Sequence, residues 1–126
     1  MMAYLWIALG GALGSMARYA TGIYVGRWLG TAFPWGTLLI NIVGSFLIGA
    51  FAESFALRWD ASPSTRVFLV VGICGGYTTF STFSLDVVTL LNRGEAILAG
   101  TYILASVVLG LAGLYAGLYA MRLAFT

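Results

Sequence analysis

The sequence predicts an all-α integral membrane protein of four transmembrane helices, the third broken near its middle. The first of three supporting observations is composition: 61% of residues are hydrophobic, 8% are charged, and mean hydropathy is +0.99. A soluble domain carries about 25% charged residues. The few charges here, six basic and four acidic, do not cover the surface of a soluble 126-residue fold. The second observation is that charges divide the chain into four apolar blocks, each close to the roughly 20 residues a helical span requires. The third is a run of hydroxyls behind a glycine pair in the third block. Lipid permits helices because they pair every backbone group internally. A membrane barrel would show alternating ten-residue strands, and none is visible. Disordered chains, soluble enzymes and nucleic-acid binders are excluded by the same composition.

The first block is free of charge to residue 17 and continues past Arg18, giving a span over about 3–25. Residues 28–52, 67–85 and 96–121 follow, with spans over about 35–57, 66–91 and 95–122, all within a single domain, 1–126. The connections are short, near 26–34, 58–65 and 92–94. Pro34 stands at the start of the second span, where a missing N–H does no harm. Ser62 or Ser64 is expected to cap the third. Asn92-Arg93-Gly94 is expected to turn tightly. Trp6, Trp28, Trp35 and Trp59 fall near span ends, as interfacial aromatics do. Nothing basic precedes the first apolar stretch, so a cleaved signal peptide is not expected.

Chemistry is limited by what is missing. The chain has no His, no Lys and one cysteine, Cys74, so disulfides within the chain, Cys/His metal sites and Ser-His-Asp sets are excluded. A net charge of +2 suggests no polyanionic partner. The 17 glycines are in excess of the usual ~7%. Pairs at helical spacing (Gly10/Gly14, Gly72/Gly76, Gly113/Gly117) let helix backbones approach closely. That much small-residue surface implies contact beyond four helices, hence an oligomer.

Polar groups deep in the spans are mostly donors. Arg18 either snorkels to the nearer interface or supplies positive potential to an anion. Asn41 lies roughly 10 Å into the second span, as an interhelical bond or as a donor to a solute. In the third span Thr78, Thr79, Ser81, Thr82 and Ser84 place five hydroxyls within residues 78–84, just after Gly75-Gly76. A break there frees carbonyls, which lipid tolerates only beside protein, water or an ion. Phe80 and Phe83 share a helix face, as do Tyr102 and Ser106 in the fourth span. Aromatic edges carry partial positive charge. Glu53 and Asp86 lie in the last third of their spans, so the deep carboxylates of a cation path or proton relay are absent. The balance favours passive movement of a small anion.

The stretches 10–19 (GGALGSMARY), 36–41 (GTLLIN) and 75–84 (GGYTTFSTFS) resemble the Fluc (CrcB-type) fluoride channels along essentially the whole chain. The resemblance implies an antiparallel, dual-topology homodimer with two fluoride pores in the inner (plasma) membrane. It implies that Phe80 and Phe83 meet fluoride with their ring edges and that Asn41 donates to it. Ser81, Thr82 and Ser84 would form a polar track, Tyr102 and Ser106 would be pore positions of the fourth span, and Arg18 the basic residue of the first. The backbone carbonyls of Gly75 and Thr78 would hold a structural sodium ion. Asp86 stands where relatives usually carry Glu and is not assigned to the site. The role implied is fluoride resistance: hydrogen fluoride enters through lipid as a neutral acid, ionises, and the trapped anion leaves through the channel. An inside-negative potential contributes about 2.3 kcal/mol per charge per 100 mV. The alternative is a small four-helix proton-coupled multidrug exporter, which needs a deep carboxylate; a structural subunit of a larger complex is the third reading.

Arginine placement bears on orientation. If both termini share a side, that side holds Arg58, Arg66 and Arg122 against Arg27 and Arg93 on the other. So weak a bias predicts insertion in both orientations, which permits an antiparallel two-fold dimer.

Overall fold

The computed structural model describes residues 2–126 and is all-helical. Helix α1 is Met2–Leu29, α2 is Trp35–Leu57 and α6 is Ala96–Ala124. Between α2 and α6 the third rod is composite. A short α3 (Pro63–Arg66) runs into a π-helix (Val67–Cys74) and a last turn, α4 (Gly75–Tyr77); after two extended residues, α5 (Phe80–Asn92) completes it. Among the described residues three stretches are long and apolar enough to cross a membrane: Trp35–Leu57, Pro63–Asn92 and Ala96–Ala124, with mean hydropathies over an 18-residue window of 1.8, 1.4 and 2.1. Helix α1 has the length, 28 residues, but its tyrosines, glycines and two arginines leave it less apolar.

Local chemistry sets the ends. The first helix runs past residue 25 to Leu29 because Gly26 continues it; the turn is made at Gly30, whose φ of +80° suits glycine. Ser62 is the cap of α3, its Oγ accepting from the Thr65 N–H at 3.2 Å with Pro63 as the first helical residue. Helix α5 ends in a Schellman motif: the Glu95 N–H reaches the Leu90 carbonyl, the Gly94 N–H reaches Leu91, and Gly94 takes a φ of +77°.

The helices pair in an interleaved order. Helix α2 packs chiefly on α6, and α1 packs chiefly on the π-helix and α4. Glycine makes both contacts possible. A Cβ at Gly10 would lie 2.6 Å from the Phe68 carbonyl, and one at Gly76 2.6 Å from the Gly11 carbonyl, so α1 and the third rod touch backbone to backbone. On the other side Gly49 faces the Leu114 carbonyl and Gly117 faces the Phe46 carbonyl. Close approach of this kind replaces the hydrophobic drive that lipid removes. Leu38, Leu90, Ala99 and Tyr102 form a buried cluster near the N-terminal ends of α2 and α6. At the opposite end the acid of α2 is neutralised: Glu53, almost covered, pairs with Arg122 of α6 at 2.8 Å. Much of the remaining apolar surface faces outward, including Ile97, Leu104 and Leu111. That is the surface a lipid solvent accepts.

Candidate functional site

The site is built around the break in the third rod. Thr78 and Thr79 are extended, with ψ of 156° and 117°, so the helical hydrogen-bond ladder stops there. Asn41 of α2 replaces what is lost. Its Nδ2 donates to the Thr79 carbonyl at 3.1 Å, and its Oδ1 accepts the Thr79 N–H at 2.9 Å. The Thr79 hydroxyl accepts the Thr82 N–H at 3.1 Å and thereby caps α5. Buried amides in lipid need such partners, and here one side chain supplies both. The paired bonds occupy one lone pair of the Asn41 side-chain oxygen and one of its N–H groups, and leave the second N–H free.

The same bonds release two carbonyls. In a continuous α-helix the Thr79 N–H would go to Gly75 and the Thr82 N–H to Thr78. Here they go to Asn41 and to Thr79 Oγ1.

Two cavities meet at Thr79. The inner one, about 310 Å³, is lined by Asn41, Thr79, Phe80, Phe83 and Ser106, with Ser45 and Gly110 further along. The outer one, about 660 Å³, opens between α1, α2 and α5 and is lined by Ser15, Arg18, Thr79, Thr82 and Asp86 among others. Phe80 and Phe83 stand with ring centroids 5.6 Å apart at 42°. Phe80 is 78% exposed in the single chain, so its ring leans on nothing of its own subunit beyond Phe83 and the cavity wall. The Ser106 Oγ is buried with no hydrogen-bond partner, an uncommon state for a hydroxyl in an apolar setting. The inner cavity has no charged side chain in its wall. Its free polar hydrogens come from amide and hydroxyl groups, and ring edges add partial positive charge. Such a lining solvates a small anion better than a cation.

Of the residues singled out in sequence, Asn41, Phe80, Phe83, Ser106 and Thr78 come together at the inner cavity, and Arg18 and Thr82 at the outer. Ser81, Ser84 and Tyr102 line neither. The Ser84 hydroxyl bonds back to the Phe80 carbonyl at 3.0 Å, and Ser81 is exposed, 3.4 Å from the Thr79 hydroxyl. Tyr102 is fully buried. Its hydroxyl donates to Asp86 at 3.0 Å, and its ring backs Phe83 at 5.1 Å. Gly75 is exposed on the first half of the rod. Sequence reasoning passed over two residues: Thr79, the shared wall of both cavities, and Asp86, which reaches the outer cavity although it lies late in its span. The hydroxyl run contained the signal for Thr79. No spacing in the sequence pairs Asp86 with Tyr102.

Fold and site together define a helical membrane protein with donor-lined cavities at a broken helix. The family model described as "CrcB-like protein, Camphor Resistance (CrcB)" matches residues 5–118, and the chain belongs to that family. It is 59% identical over 118 residues, 94% of each chain, to a protein of Nitrobacter winogradskyi named "Fluoride-specific ion channel FluC". Proteins of the same name from Rhizobium johnstonii and Rhodospirillum centenum are 52% and 49% identical, covering 97% and 98% of this chain and 98% of each relative.

Proposed function

We propose that this protein is a passive, fluoride-selective ion channel that lets cytoplasmic fluoride leave down its electrochemical gradient. The observation that carries the reading is the inner cavity: unclaimed donors and aromatic edges at a helix break, with no carboxylate in its wall. The names of the relatives point the same way. Fluoride is small and strongly hydrated, so a passage must replace water's hydrogen bonds with its own. Asn41, Ser106 and the edges of Phe80 and Phe83 would do that, with Arg18 raising the local anion concentration in the outer cavity. Purified protein in liposomes, with efflux followed at a fluoride electrode, tests the reading. With a potassium ionophore carrying the compensating charge, fluoride release that needs no proton gradient is the expected result. Proton-coupled cation uptake would favour an exporter, and silence a structural subunit.

The finer reading is one domain of four spans, α1 included, assembled as an antiparallel homodimer in the inner (plasma) membrane. Two features support the dimer: Phe80 lies uncovered beside the cavity, and arginine placement barely biases orientation. Fusions at the C-terminus to reporters active on one side of the membrane should both give signal. Two or three Lys added to one connection should polarise them. Unmodified protein that lights one reporter only would end the dual-topology reading.

A structural sodium ion fits the residues present. The carbonyls of Gly75 and Thr78 have lost their helical donors, and uncharged oxygens suit a hard cation. In a two-fold dimer each chain would contribute its pair. The ion would supply positive charge that holds the two breaks together.

A further inference from the structure

A hydroxyl inside a membrane helix has a default partner, the carbonyl one turn back. Thr21, Ser54, Thr78, Ser84, Thr89 and Thr101 all take it, at 2.7–3.0 Å, whereas Ser45 of α2 and Ser106 of α6 do not. Both line the inner cavity. Ser45 lies one turn beyond Asn41 on the same face of α2, and Gly110 lies one turn beyond Ser106 on α6. The two faces meet across the cavity: a Cβ built on Gly110 would stand 3.9 Å from Ser45 Oγ. Gly110 thus leaves open the space in front of that hydroxyl.

The donors still available at this end are one N–H of Asn41 and the hydroxyls of Ser45 and Ser106. No acid or base lines the cavity with them. A hydroxyl that declines its own backbone and faces an uncharged cavity is a donor held for a solute. Because Ser45 is displaced along α2 by one turn, about 5.4 Å, it serves a different position from the one between Asn41 and the phenylalanine pair.

We infer that Ser45 forms a second small-anion station, one turn beyond the level of Asn41 and Ser106 and away from Arg18, with Gly110 supplying the room. The inference rests on the channel reading and adds to it a binding residue, Ser45, and a spacer, Gly110. An ion leaving the position beside Asn41 and Ser106 then meets the Ser45 hydroxyl on its way toward the C-terminal end of α2.

The test is initial fluoride efflux from liposomes holding purified full-length protein, measured over a range of internal fluoride with a potassium ionophore carrying the compensating charge. Ser45→Ala should slow efflux about tenfold, the loss of one hydrogen bond to an ion, and raise the half-saturating fluoride concentration. Gly110→Ala places a methyl at ordinary contact distance from Ser45 Oγ. It should fold normally, slow efflux by a similar factor, and add little to Ser45→Ala in the double variant. Folded Ser45→Ala protein that conducts at the wild-type rate overturns the station while leaving the channel reading in place. If Ser45→Ala does not yield folded protein, Gly110→Ala decides, and wild-type efflux from it overturns the station. Wild-type liposomes that release no fluoride overturn the channel reading and the station together.

Discussion

Phe83→Ile should give a folded protein whose fluoride efflux is slower by about a hundredfold, equivalent to about 2.7 kcal/mol at the barrier. Phe83 lines the inner cavity and stands 5.6 Å from Phe80 and 5.1 Å from Tyr102, ring centroid to centroid. Ile keeps much of the bulk and all of the hydrophobicity. It loses the electropositive ring edge, the property by which an aromatic residue meets an anion. The packing cost is about 1 kcal/mol, the usual penalty for a shape change at similar volume, so the protein should still purify as a single species. Efflux from liposomes at matched protein loading is the measurement. Mutant protein that elutes like wild type and conducts like it would remove the ring from the mechanism.

The other large effect is structural. Gly117→Ala should prevent recovery of folded protein, because overpacking at a contact that cannot give costs about 3 kcal/mol or more. The added methyl meets the Phe46 carbonyl oxygen directly and comes within 3.0 Å of the Ala50 nitrogen. These are backbone atoms of a neighbouring helix, which no rotamer change can move. Gly49 makes the reciprocal contact, with Leu118 N at 3.1 Å. Gly100 is the control: nothing lies within 4 Å of its Cβ position, and Gly100→Ala should be neutral or slightly stabilising through helix propensity. Size-exclusion profile and thermal midpoint in detergent read both variants. A monodisperse Gly117→Ala protein with a wild-type midpoint would contradict the described contact between α2 and α6.

Three of the long apolar stretches and the break were legible in the sequence for a single reason: lipid penalises unpaired charge and unpaired backbone so heavily that both leave marks in one dimension. Gly75-Gly76 followed by hydroxyls is such a mark, and the ladder stops two residues later, at Thr78. Pairing across helices leaves no such mark. Asn41 was readable as deep and polar, but its two hydrogen bonds to the Thr79 backbone depend on where α2 meets the third rod. The Tyr102 position was readable as one face of the fourth span, yet its hydroxyl turns to Asp86 and away from the inner cavity. The π-helix over Val67–Cys74 is equally silent in composition. Its apolar residues fit an α-helix as well.

The interleaved pairing has a consequence for biosynthesis. Helix α1 leaves the ribosome long before the π-helix that covers its glycine face, and α2 waits for α6, the last helix made. Neighbours in the chain are therefore not the main neighbours in space, and the principal contacts join residues far apart in sequence, the arrangement that folds slowly. Each early helix must persist in the bilayer as an independent unit, held by lipid alone, until its partner arrives. A truncated chain lacking α6 would leave Gly49 facing hydrocarbon and the cavity without its Ser106 wall. The cavity between Asn41 and Ser106 is closed only when the final helix arrives.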